Sequence, residues 1–208
     1  MKIKSKLLIF SILGVVTMSC NDSTQPFIAL NGSPNHTISL NSVYNEPGAI
    51  AIDDEDGDIS SAIVITGSVD PDQKGEYHIY YNVADNSGNN ASVEIRDVHV
   101  VNDADYLEGF YLATPNCGAT TQSNYTSTLT SSETVNNKIF IDQLEMGIST
   151  IIPGYVSNDS ITLASIGTIN NYQYTGTGII FNNGFNLNSI FNYSSNYAVN
   201  CATVYTKQ

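Results

Sequence analysis

The densest concentration of chemistry-bearing side chains is acidic: Asp53, Asp54, Glu55, Asp56 and Asp58 crowd one short stretch. A hard cation such as Ca²⁺ takes several oxygen donors at one point, and clustered carboxylates in a loop can supply them. Asp53, Asp56 and Asp58 are the candidate ligands within the run. Asp85, from the later turn Asp85-Asn86-Ser87-Gly88-Asn89, could close such a site if the two loops meet. The spacing departs from an EF-hand, because Gly57 is misplaced and no glutamate closes the loop. The same residues suit turn chemistry, with the carboxylates around Gly57 accepting backbone N–H bonds. Both readings stand, one with bound Ca²⁺ and one with no cofactor.

The chain has three cysteines, Cys20, Cys117 and Cys201. In an oxidising compartment the last two could form a disulfide. Closing so long a loop, about 85 residues, would stabilise the fold by roughly 4–5 kcal/mol in the chain-entropy model. Catalysis is poorly provided for. No histidine follows His99, and charged residues are sparse beyond residue 105. General acid–base work needs positioned titratable groups, so the reading is non-enzymatic. A glycoside hydrolase, which needs only a carboxylate pair, is the remaining enzymatic alternative, yet spacing singles out no pair. His36, His78 and His99 are separated, and His78 and His99 read as sheet-surface residues rather than metal ligands.

The positioning elements begin with a targeting segment. Lys2, Lys4 and Lys6 precede an apolar run from Leu7 to Val16. Ten or so helical residues span about 15 Å, half a hydrocarbon core, so the run fits a signal peptide over 1–19 rather than a transmembrane helix. Thr17-Met18-Ser19-Cys20 resembles the lipobox of bacterial lipoproteins, although Thr17 stands where that family favours Leu. The resemblance implies a lipidated Cys20 as the mature N-terminus, with 20–25 as a polar tether. It also implies a cell-envelope location at the outer membrane, with the lipid as membrane partner. Without residues 1–19 the chain keeps 4 basic residues against 20 acidic ones, net −16. Such a chain repels phosphate backbones, which excludes nucleic acid as a partner.

Beyond the tether, turn signals recur at roughly ten-residue spacing, as in an all-β sandwich. Tyr77, Ile79, Tyr81 and Val83 alternate onto one strand face, and Gly88 supplies the positive φ of the hairpin turn after them. The following strand is read with Val93, Ile95, Val98 and Val100 inward, and a bulge near Arg96-Asp97. Five motifs in order carry a resemblance: Tyr44-Asn45-Glu46-Pro47-Gly48-Ala49, Ala51 to Ile59, Gly75 to Tyr81, Asp85 to Asn89, and Arg96 to Val100. Together they resemble the Ig-like domain of unknown function found in bacterial surface proteins, across 26–102. The resemblance implies an Ig-like sandwich serving as spacer or adhesion module, with no catalytic activity. Gly75-x-Tyr77 after a turn resembles the tyrosine corner, whose phenol bonds back to the preceding loop.

Residues 105–208 read as a second all-β unit, an antiparallel meander closing as a barrel or a sandwich. Asn183-Gly184 is its sharpest hairpin signal. Tyr106-Leu107-Glu108-Gly109-Phe110-Tyr111 resembles the opening of lipocalin-like β domains, which implies a shape and no residue roles. Nine of the thirteen tyrosines fall here, to stack on sugars or to pack a barrel interior. The expected function is a lipid-anchored protein at the cell surface or in the periplasm. Its Ig-like spacer presents a β-rich unit to a glycan or an outer-membrane protein. The alternative is a structural or assembly component with no small ligand.

Overall fold

A computed structural model describes residues 22–118, 122–145, 148–164, 166–169, 172–194 and 197–208. The signal peptide and Cys20 read from the sequence lie outside the described residues. No helix among the described residues is long and apolar enough to cross a membrane.

The first half is built from β1 (Phe27–Leu30), β2 (Asn35–Ser39), β3 (Ala49–Asp53), β4 (Gly57–Asp58), β5 (Val64–Thr66), β6 (Gly75–Asn82) and β7 (Glu94–Val101). They make two sheets, β1-β3-β4 and β2-β7-β6-β5, in which β2 runs parallel to β7 and every other neighbour is antiparallel. Alternation drives the layering, because successive side chains of a strand point to opposite faces. On β6 and just beyond, Ile79, Tyr81 and Val83 are buried, and they pack with Ile28, Ala51 and Val98 into one core.

The last strand of this half corrects the sequence reading. Pairing of β6 with β7 runs without a slip from Gly75↔Val100 to Tyr81↔Glu94, so no bulge intervenes. Strict alternation then turns Arg96, Val98 and Val100 inward and leaves Val93 and Ile95 exposed. The apolar pattern misled because one inward position holds an arginine, tolerated there only because its hydrogen bonds are met.

The second half is a closed barrel, one of the two closures the sequence left open. Its strands are β8 (Gly109–Asn116), β9 (Tyr125–Ser131), β10 (Lys138–Glu145), β11 (Ile148–Ser157), β12 (Ser160–Leu163), β13 (Ile166–Ile169), β14 (Tyr172–Phe181), β15 (Gly184–Ser194) and β16 (Tyr197–Lys207). Each strand pairs antiparallel with its sequence neighbour, except that β12 pairs with β14 and β16 with β8. Those two pairings close an eight-stranded ring, and β13 is an extra strand alongside the start of β14. A ring of eight leaves an interior that side chains can just fill. Phe185 stacks on Tyr205 at 4.5 Å, Tyr111 meets Phe185 edge-on at 5.4 Å, and Tyr174 meets Phe191 at 5.2 Å. Tyr111, Tyr125, Tyr174 and Tyr205 are all buried, so these four tyrosines pack the barrel. The hairpin between β14 and β15 turns on Asn182-Asn183, with Gly184 starting the next strand. A Cβ on Gly184 would lie 1.9 Å from the Tyr205 carbonyl oxygen, which requires glycine there.

At the junction, Asn102, the residue after β7, is buried and its side chain bonds to Ala104 and to the segment from Ser132 to Lys138 that joins β9 to β10. Its amide donates to the carbonyls of Ser132, Val135 and Lys138 at 2.9, 3.0 and 3.3 Å. Its carbonyl oxygen accepts the Ala104 and Asn137 N–H groups at 3.0 and 2.8 Å. Lys74 crosses as well, donating to Asp105 at 2.8 Å, Glu108 at 3.2 Å and Ser131 at 3.0 Å.

Candidate functional site

The acidic loop is the tight hairpin between β3 and β4, with Asp53 opposite Gly57. Gly57 has φ +74°, the left-handed conformation that glycine adopts without strain. Asp53 turns its carboxylate into the hairpin, where Oδ1 accepts the N–H groups of Glu55 and Asp56, both at 2.9 Å. Asp58 is engaged elsewhere, accepting the Ser60 N–H at 2.9 Å and hydroxyl at 2.6 Å. Those bonds hold its carboxyl below the usual carboxylate range. Asp56 reaches the turn that follows β6, accepting Asn86 N–H at 2.8 Å and Asn86 Nδ2 at 2.7 Å. It therefore clamps the two loops together.

That clamp brings Asp85 to Asp53, and a third carboxylate joins them. Asp22, Asp53 and Asp85, all buried, each offer an oxygen within 4.8 Å of the others. Of the four candidate ligands read from the sequence, Asp53 and Asp85 meet, while Asp56 and Asp58 serve the surrounding turns. The sequence reading missed Asp22 because it lies on the tether, far along the chain from both partners. Asp85 accepts Asn89 N–H at 2.8 Å and Asn89 Nδ2 at 2.7 Å, in a turn where Gly88 has φ +89°. Burial works against its charged form, but these bonds and the N–H groups of Ser87 and Gly88 outweigh it and lower its pKa. Asp22 accepts Thr24 N–H at 2.8 Å, and its carbonyl accepts Asn89 Nδ2 at 3.2 Å.

Two tyrosines share a second device. Tyr77 donates to the Gln73 carbonyl at 2.8 Å, four residues back, just after Gly75. Tyr111 does the same to Leu107 at 2.8 Å, just after Gly109. The Gly-x-Tyr spacing marks both, although the sequence reading took only the first as a tyrosine corner and the second as a lipocalin-like opening. Burial, then the neighbouring Tyr106, pushes the Tyr111 phenol up to about 12.

Arg96 is the hub of the two-sheet half. Its guanidinium donates to Glu46 Oε1 at 3.0 Å, Asn31 O at 2.9 Å and Gly48 O at 3.1 Å, and also to Ser33 O. Glu46 in turn accepts the Tyr44 hydroxyl at 2.5 Å, the Tyr81 hydroxyl, and the Gly48 N–H at 2.8 Å. The run Tyr44 to Gly48 thus matters as one polar knot with Arg96. His78 sits outside, at 2.7 Å from Asp97 across the β6–β7 ladder.

The barrel carries a groove of about 710 Å³ on its wall. One outward row crosses five strands through consecutive pairings: Thr162, Thr177, Asn188, Ala202 and Asn116. A second row, Thr175, Ile190 and Asn200, lies beside it. Gly176 and Gly178 occupy inward positions of β14, where added side chains would crowd Leu163 and Leu187. The wall can therefore lie close over the interior at that strand. No lining residue is charged. Cys117 and Cys201, joined as a disulfide across 84 residues, tie β16 to the end of β8 at the groove's edge.

No curated protein matches the chain. Among solved structures it is similar to a lipoprotein of Bacteroides thetaiotaomicron, at 16% identity and TM-score 0.37, over 88% of this chain and 100% of that one. It is also similar to a candidate outer membrane protein of Bacteroides fragilis, at 17% identity and TM-score 0.37, over 81% and 71%. The sequence comparison is more specific: residues 28–100, which hold the Arg96 knot, Asp53, Asp85 and Tyr77, match the family model described as bacterial surface protein, Ig-like domain.

Proposed function

We propose that the chain is a lipid-anchored protein of the bacterial cell envelope, held through Cys20 at the outer membrane and without enzymatic activity. In this reading residues 26–102 are an Ig-like spacer, and residues 105–208 are the barrel it presents. The barrel groove takes a neutral glycan. The observation that carries this is the groove itself, a lining of amides, hydroxyls and small apolar groups with no charge. Asn116, Asn188 and Asn200 offer donors and acceptors suited to sugar hydroxyls, and Ile190 and Ala202 offer apolar contact. The surface-protein family match over 28–100 supports the location.

A glycan array probed with the full chain in detergent tests the binding. Retention on neutral glycans, lost when Ala202→Trp fills the groove, is the expected outcome. Silence across the array removes the glycan reading. A second reading, a structural or assembly component with no small ligand, draws on Phe27, Ile50 and Ile52. These three are exposed on one face of the β1-β3-β4 sheet, with Phe27 paired to Ile52. Under that reading the array stays silent and crosslinking recovers an envelope protein.

A further inference from the structure

We propose that Asp22, Asp53 and Asp85 form a Ca²⁺ site that fastens the start of the folded chain to the Ig-like unit. Three buried carboxylates from distant segments each place an oxygen within 4.8 Å of the others. Asp22 is 8% exposed, Asp53 3% and Asp85 8%. None of them pairs with a basic side chain among the described residues. An uncompensated group of like charges away from water is expensive, and a bound cation is what relieves it.

The second observation is specific to the oxygens. Asp22 Oδ2 and Asp53 Oδ2 are buried and have no hydrogen-bond partner among the described residues. Each of these carboxylates uses Oδ1 on backbone N–H groups, which holds the side chain in place and leaves Oδ2 for a ligand. Buried polar atoms are nearly always satisfied, so two orphaned oxygens in one cluster point to a missing partner.

The donor set points to a hard cation. The donors are all oxygen, which suits a hard cation. Ligands on opposite sides of Ca²⁺, at 2.3–2.6 Å each, lie roughly 5 Å apart, whereas around Mg²⁺ they lie about 4.2 Å apart. Oxygens that all lie within 4.8 Å of one another fit inside a single Ca²⁺ shell. Water completes the shell, as it commonly does at Ca²⁺ sites.

The residue that makes the site consequential is Asp22. Asp53 and Asp85 are already held together through Asp56 and Asn86. Asp22 comes from the tether, two residues after Cys20, so the ion would cross-link tether to sheet. Where the lipid anchor of the proposed function holds, Ca²⁺ then sets how the molecule stands on the membrane.

The test uses the full chain in detergent, stripped with a chelator, with Ca²⁺ and Mg²⁺ as the probes. Calorimetric titration is expected to show one Ca²⁺ bound with a dissociation constant at or below about 1 mM, and at least tenfold weaker Mg²⁺ binding. Saturating Ca²⁺ raises the melting temperature by several degrees and slows amide exchange over residues 22–26. Asp22→Ala removes a side chain lying outside both sheets. It should keep the fold and lose the Ca²⁺ heat by tenfold or more, along with the protection of 22–26. Asp53→Asn should also lose the heat. No heat and no thermal shift at about 10 mM Ca²⁺, a concentration above the range of weak extracellular sites, would overturn the proposal. A response that survives Asp22→Ala would overturn it as well. Mass spectrometry of the N-terminus reports separately on the lipid, so the two failures can be told apart.

Discussion

Replacing Arg96 by methionine should destabilise the Ig-like unit while sparing the barrel. The guanidinium is fully buried, and four acceptors depend on it: Glu46, Asn31 O, Ser33 O and Gly48 O. Methionine fills much of the volume but donates nothing. Breaking one side of a buried ion pair typically costs about 3–5 kcal/mol, because the partner charge stays behind uncompensated. The loss falls in that range rather than above it, since Glu46 keeps its bonds from Tyr44, Tyr81 and Gly48. For a unit of this size each kcal/mol shifts melting by about 4–8 °C, so a drop of at least 12 °C is expected. Differential scanning calorimetry of the full chain reads it as an early transition separating from that of the barrel. A loss below about 1 kcal/mol would refute the argument, because it would place Arg96 among ordinary surface-like positions.

Two further perturbations follow from the same bonds. Burial raises the Glu46 pKa, but hydrogen bonds from Tyr44, Tyr81 and the Gly48 N–H, with the Arg96 charge, lower it overall below the usual 4.5. A carboxylate depressed by folding stabilises fully above its unfolded value and loses that contribution as pH falls through the folded one. The melting temperature of the Ig-like unit should therefore fall below pH 4.5, and Glu46→Gln should remove part of that acid slope. Equal slopes in the two proteins would rule Glu46 out as the source. Asn102→Ala strands buried carbonyls and N–H groups between the halves, each costing about 1–3 kcal/mol. Small-angle scattering should then show a broader spread of intramolecular distances, and an unchanged profile would mean that other contacts set the junction.

Strand positions were largely legible, because their residues carry the alternation themselves. Glu76 to Ala84 reads as a strand from the alternation of Tyr77, Ile79, Tyr81 and Val83, and the structure places the strand at Gly75–Asn82. Glycine turns were equally readable, since the positive φ at Gly57 and Gly88 is a property of the local backbone. The misreading of Val93 and Ile95 shows the limit: apolar pattern cannot announce a buried arginine whose acceptors lie 48 to 65 residues away. Strand β13 shows a related limit, since its pairing with β14 is what defines it as a strand.

The acidic run shows the same division at the site. Sequence alone determined that carboxylates crowd one loop, that Asp85 sits in a later turn, and that the groups suit either a cation or backbone N–H donors. Only the tertiary structure sorted them, with Asp56 and Asp58 on local donors and Asp53 and Asp85 converging on Asp22. The barrel divides similarly. Its strands are written in local pattern, but its closure through β8–β16 and β12–β14, and the row of groove residues, exist only once the ring forms. The physical reason is common to both. Hydrogen-bonding preference and alternation act within a few residues, whereas a buried charge cluster or a cross-strand row is made by the packing of segments that the chain keeps far apart.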